Sequence, residues 1–178
     1  MCLLYNRILS LALFLLLVLS PNILAKPNPA ISSKSHQPWL TPIQGYYVSR
    51  SFGEKNCHQQ PNHRGVDMVT ATATAVVAPA PGLVMATGQV DPFFGGLRNL
   101  IAIDHGHGLI SVYANLSEHL VESGQWVKAG QRIAMTEALS KEIKYSTTHV
   151  EFIQDGNPID PFKLIPYVFF DLQLAPSQ

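Results

Sequence analysis

From Ile43 onward, short apolar segments rich in Val, Ile, Tyr and Phe alternate with turns rich in Gly and Pro, at residues 45–48, 75–78, 82–86, 100–103, 109–113 and 149–153. Runs of that length bounded by turn residues read as strands, and their spacing predicts an all-β domain built as a mostly antiparallel sandwich or barrel-like sheet. Long helical periodicity is absent. The best helix candidates, around residues 118–123 and 137–144, are short. After Pro161 the apolar residues Leu164, Ile165, Tyr167, Val168, Phe169 and Phe170 predict a tail packed on the sheet. No internal repeat and no second domain stand out.

The N-terminal pattern is different. Met1 to Arg7 carries one positive charge, and residues 8–19 form an apolar run broken only by Ser10. That run is too short to span a bilayer comfortably, since a spanning helix needs about 20 residues. Ser20, Pro21 and Asn22 break it, and Ile23-Leu24-Ala25 offers a cleavage site before Lys26, the three-part layout of a secretory signal peptide. An uncleaved membrane anchor is the alternative. The expected organisation is a signal peptide over 1–25, a flexible linker over 26–44, a single domain over 45–165 and a tail over 166–178. The linker rests on its Pro, Ser, Asn and Lys content.

Composition narrows the class. The 178 residues are 47% apolar and 13% charged, with 12 basic against 12 acidic side chains. A near-neutral chain lacks the basic footprint of a nucleic-acid binder, so no nucleic-acid partner is expected. Its apolar content also excludes a disordered tail. Cys2 would leave with the leader, and Cys57 is then alone in an exported protein, without an intramolecular disulfide partner. It reads as a small buried residue or a free thiol.

Two stretches could carry chemistry. In His63-Arg64-Gly65-Val66-Asp67 an imidazole and a carboxylate lie four positions apart. A fully extended strand would set them about 13 Å apart, too far for one ion, so the chain must curl. Gly65 allows that. On spacing alone the pair carries little weight. In Thr147-Thr148-His149-Val150-Glu151-Phe152, strand geometry puts Thr147, His149 and Glu151 on one face. The bland reading of His149 is an edge histidine bonded to backbone.

Taken in order, the motifs resemble the lysostaphin/LytM-type zinc metallopeptidases, which cut peptide cross-links in bacterial cell walls. The resemblance runs from about Ser51 to Leu164. It is carried by Ser51-Phe52-Gly53, the His63 to Asp67 motif, Ala75-Val76-Val77-Ala78 with Gly82-Leu83-Val84, Ile103-Asp104-His105-Gly106-His107-Gly108, and Tyr113-Ala114-Asn115-Leu116-Ser117. The stretch from Gly124 to Ala134, His149-Val150-Glu151-Phe152 and Asn157-Pro158-Ile159-Asp160-Pro161 complete it. The resemblance implies the LytM fold with an open groove, export to the periplasm or cell envelope, and zinc as cofactor. Its three zinc ligands fall on His63, Asp67 and His149. Two nitrogens and one carboxylate oxygen, with a fourth position open, is the donor set of a catalytic zinc.

The departures weigh as much. The family keeps a non-ligand histidine two residues before its last ligand and another in its Tyr-Ala-His-Leu stretch. Here Thr147 and Asn115 stand there. Asn and Thr donate hydrogen bonds, but neither takes up a proton near neutral pH. The family's Gly- and Ser-rich loop before that histidine pair is also altered, because residues 136–146 contain no Gly. His58, His105, His107 and His119 read as turn histidines, with His119 the best outside substitute. No catalytic residue is assigned.

Two readings follow from the resemblance. One is an exported metallopeptidase acting on peptidoglycan peptide cross-links with impaired hydrolysis. The other is an inactive protein that binds peptidoglycan peptides or regulates a cell-wall amidase or other envelope protein. A third class, a biotinyl- or lipoyl-type carrier suggested by residues 124–133, is disfavoured by export and by Lys141 lying in no modification motif.

Overall fold

The computed structural model describes residues 39–55, 62–71, 73–91, 97–137 and 145–167, the side chains of 89–91 apart. All of them lie in the unit Pro38–Gln178; the leader and most of the linker fall outside the described residues. Eleven strands follow in chain order: β1 (Tyr47–Arg50), β2 (Val66–Thr70), β3 (Ala75–Val77), β4 (Gly82–Asp91), β5 (Leu97–Asp104), β6 (Leu109–Ala114), β7 (Leu116–His119), β8 (Trp126–Val127), β9 (Arg132–Thr136), β10 (Ser146–Gln154) and β11 (Asn157–Ile159), then a 3₁₀ turn at Pro161–Lys163. The larger sheet runs β1-β2-β10-β6-β5-β4-β8, with β11 on β10, and the smaller runs β3-β9-β7. Among the described residues every pairing is antiparallel, as the pattern predicts, and no barrel closes.

Alternation along the strands explains the layering. On β10, Val150 and Phe152 point into the main core with Val66, Met68, Ile101, Ile103, Tyr113 and Ile133, all essentially inaccessible. The opposite face of the same sheet carries a second cluster of Leu100, Ala102, Val112, Ala114 and Ile153. Central strands β5 and β6 are therefore buried on both faces, which is why they read as continuous apolar runs.

Residues 118–123 do not form a helix. Leu116–His119 is a strand on β9, and the Leu120 amide donates to the Ile133 carbonyl at 2.8 Å. A turn and a half of helix is below the length at which helices hold alone, so pairing with β9 wins. The second helix candidate lies mostly outside the described residues. At the end of the segment read as linker, Ile43 is fully buried and Trp39 packs its ring on Phe152 and His105. In the tail, Ile165 is buried and Leu164 lies against the core, whereas Tyr167 is exposed. Val168, Phe169 and Phe170 fall outside the described residues.

The central hairpin shows the turn chemistry plainly. Gly106, His107 and Gly108 all have positive φ (82°, 52° and 73°), and the Asp104 carboxylate accepts the Gly106 amide at 2.7 Å. The His105 ring bridges the Pro81 carbonyl (2.8 Å) and the Ser111 hydroxyl (2.7 Å), tying β4, β5 and β6 together.

Candidate metal centre

His63, Asp67 and His149 converge although 86 residues separate the two histidines. Asp67 on β2 and His149 on β10 are direct cross-strand partners, so one rung of the sheet presents both. His63 precedes β2 and is fixed by the Ser51–Glu54 turn. Its carbonyl accepts the Gly53 amide at 2.8 Å, and its own amide donates to the Glu54 carbonyl at 3.0 Å. The group lies on the sheet face away from the main core, beside the smaller apolar cluster, since Ala114 of β6 is opposite His149.

The three donor atoms form a tight triangle. His63 Nε2 to His149 Nδ1 is 3.2 Å, His63 Nε2 to Asp67 Oδ1 is 3.3 Å, and His149 Nδ1 to Asp67 Oδ1 is 2.9 Å. Zinc bonds of roughly 2.0–2.1 Å in tetrahedral array need ligand atoms about 3.3–3.4 Å apart. Two edges match that spacing closely and the third, at 2.9 Å, needs to open by only a few tenths of an ångström, so the residues fit the ion. The outer nitrogens are also committed. His63 Nδ1 lies 2.9 Å from the Ser51 carbonyl, which requires an N–H there and leaves the Nε2 lone pair free for a metal. His149 Nε2 lies 3.5 Å from Oε2 of buried Glu151, leaving Nδ1 for the ion.

The electrostatics agree. Burial pushes the Asp67 carboxyl up, but the hydrogen bond from His149 and the charges of His63, His149 and Arg50 hold it below the usual carboxylate value. Burial pushes His149 down, and Asp67 and Glu151 more than offset that, so its pKa is raised. Without metal, the pair shares a proton that an ion would displace.

Gly65 acts differently from its expected part in a curl. Its φ is not in the left-handed region. What the fold needs is space: a Cβ there would run into the Val150 carbonyl and lie 2.9 Å from both Cε1 and Nε2 of His149. Gly65 is the wall against which the His149 ring rests.

Asn115 and Thr147 bracket His149. Thr147 precedes it on the same face of β10, opposite Val69 of β2, and Asn115 follows Ala114. Asn115 is exposed with φ 64°, at the point where the chain leaves β6 for β7 in the other sheet. Its amide donates to the Arg98 carbonyl. No other histidine stands beside the three donors among the described residues. His105 and its partner Ser111 belong to the core side of the sheet, His107 sits in the hairpin turn, and His119 is on the small sheet. His58 and Cys57 lie outside the described residues. Sequence reasoning gave no role to Arg64 and Glu151, whose side chains pair at 2.7 Å behind the site. The signal available was the period of two that puts Glu151 on the His149 face.

A model of Peptidase family M23 matches residues 61–161. The chain is 38% identical over 102 residues to an uncharacterized metalloprotease of Haemophilus influenzae, covering 56% of this chain and 20% of that protein. It is 30% identical over 143 residues to the murein hydrolase activator NlpD of Salmonella dublin, covering 79% of this chain and 35% of that protein. The chain thus spans a fifth to about a third of the length of these relatives. The catalytic domain of the antimicrobial peptidase lysostaphin from Staphylococcus simulans has the same fold, with a TM-score of 0.55 at 23% identity over 66% of this chain and 90% of that one. A putative peptidase M23 from Pseudomonas aeruginosa aligns with a TM-score of 0.56 at 25% identity, over 72% of this chain and 50% of that one.

Proposed function

Because the chain belongs to peptidase family M23, we propose that it is an exported, zinc-binding domain that engages peptide cross-links of bacterial peptidoglycan and hydrolyses them slowly. One observation carries the metal reading. Three donors from distant parts of the chain stand 2.9–3.3 Å apart, with their outer nitrogens already engaged. His63, Asp67 and His149 would hold the ion, which supplies Lewis acidity toward a scissile carbonyl when bound.

Slow turnover rests on the two positions beside that group. Proton transfer in peptide hydrolysis needs a group that takes and returns a proton near neutral pH, and neither the Thr147 hydroxyl nor the Asn115 amide does so. Both can still orient a peptide carbonyl or a water by donating a hydrogen bond. Asp67, the most open of the three donors at 19% side-chain exposure, marks the side from which a peptide would approach.

Similarity to a murein hydrolase activator favours a second reading, in which the domain binds peptidoglycan peptides and regulates a cell-wall amidase without cutting. Digestion of purified peptidoglycan by the zinc-loaded protein, beside an Asp67→Ala control, separates the two. Slow, Asp67-dependent release of peptide fragments supports hydrolysis. No release, with amidase stimulation retained, supports the regulator. Export is tested by mass spectrometry of the envelope fraction: an N-terminus at Lys26 is expected, and one at Met1 would mean an anchored protein.

A further inference from the structure

Glu151 is a buried carboxylate that the hydrolytic scheme does not use. Its side chain is 4% exposed on β10, two residues beyond His149 on the same face. Its two oxygens are divided between two tasks. Oε1 takes both Nε (2.9 Å) and Nη2 (2.7 Å) of Arg64, while Oε2 lies 3.5 Å from Nε2 of His149. Arg64 is adjacent to ligand His63 and half exposed, so its guanidinium is partly solvated while it ties down the buried carboxyl group. A polar group this deep is costly without such a partner. Gly65, between Arg64 and Val66, closes against the same Nε2 edge of the ring.

We propose that Glu151, held in place by Arg64, is a positioning residue that orients His149 so that Nδ1 faces the metal. This rests on reading His63, Asp67 and His149 as a zinc site. A carboxylate behind a ligating imidazole fixes its tautomer and raises its basicity, and removing such a partner typically costs about 10–100-fold in metal affinity. If Arg64 and Glu151 were only a structural tie, their loss would change folding and leave zinc affinity alone.

The test measures zinc affinity of the full chain by competition with a chromophoric chelator, together with the visible spectrum of the Co²⁺ form and the unfolding midpoint of the metal-free protein. Glu151→Ala should weaken zinc binding by roughly tenfold or more and alter the cobalt bands. Glu151→Gln, which keeps an acceptor oxygen for the Nε2 proton, should recover much of that loss. A folded Glu151→Ala protein binding zinc within twofold of wild type overturns the proposal. Should that variant fail to fold, Arg64→Gln, altered at a half-exposed side chain, gives the same readout: a several-fold loss supports the proposal and unchanged affinity overturns it. Wild type without zinc affinity would sink the metal reading together with this one, whereas equal binding by wild type and variants sinks only the positioning role.

Discussion

Asp67 and His149 face each other on one rung of the sheet, 82 residues apart in the chain, and their side chains meet at 2.9 Å. The site is therefore a product of strand register. A slip of one residue between β2 and β10 would turn one donor to the other face and dismantle it.

Zinc should stabilise the fold through this rung. At free zinc 100 times the dissociation constant the gain is about 2.7 kcal/mol, visible as a higher unfolding midpoint. Asp67→Ala should abolish the shift. Because His149 is raised from 6.5, more than half of it carries a proton at pH 6.5, and binding there should release protons, measurable by calorimetry in buffers of different ionisation enthalpy. Zinc binding with no proton release would contradict the shared-proton description of the metal-free site.

Gly65→Ala should disturb the site without removing a ligand. The added methyl group meets a backbone carbonyl and the His149 ring, so it cannot be relieved by moving one flexible side chain. Overpacking of this kind costs about 1–3 kcal/mol. Reduced stability with weaker zinc binding is expected; a protein with unchanged midpoint and affinity would show that the chain shifts at no cost.

Asn115→His combined with Thr147→His should raise peptidoglycan hydrolysis. A positioned acid or base contributes roughly 10²–10⁴-fold, and the two replacements act on one transition state, so their effects need not multiply. Wild-type turnover already at the rate of complete family members would refute the slow-hydrolysis reading. If neither form cuts, the altered 136–146 loop is implicated and the regulatory reading gains weight.

His105 should make the fold acid-sensitive. Burial holds its pKa below 6.5, opposed by its bond to the Pro81 carbonyl and by Asp104. The neutral ring donates from Nδ1 to Pro81 and accepts the Ser111 hydroxyl at Nε2. Since the folded value is depressed, the unfolded chain binds the proton first as pH falls. The contribution is complete above 6.5, declines below it, and levels off once pH has passed the folded value. Unfolding midpoints in chelator at pH 7.5 and 5.5 should differ less for His105→Gln than for wild type. Equal pH dependence in both would assign the acid sensitivity elsewhere.

The strands are legible as short apolar runs bounded by turn residues: residues 100–103, 109–113 and 149–153 all lie within observed strands, and the continuous run at 100–103 is buried on both faces. Leu116–His119 is not legible, because it holds a single apolar residue, its end overlaps the helix expected over 118–123, and only the β9 partner decides otherwise. The candidate ligands are reachable through motif order, not geometry: nothing local in His63 to Asp67 announces His149 across the sheet. The Arg64–Glu151 pair and the closeness of Gly65 to the His149 ring also depend on the β2–β10 register, so they emerge only with the fold. The positive φ of Asn115 follows from a change of sheet that no neighbouring residue signals.

That backbone angle bears on how such a domain gains or sheds chemistry over evolutionary time. A left-handed residue outside glycine is drawn mostly from Asn, Asp and His, which tolerate the conformation far better than branched side chains. At φ 64°, position 115 therefore exchanges imidazole for carboxamide with little penalty to the scaffold. On the proposed reading, a lineage could retire a proton-transfer group there, or recover it, by changes in a single codon, while the sheet crossover and the candidate metal rung beside it stay as they were.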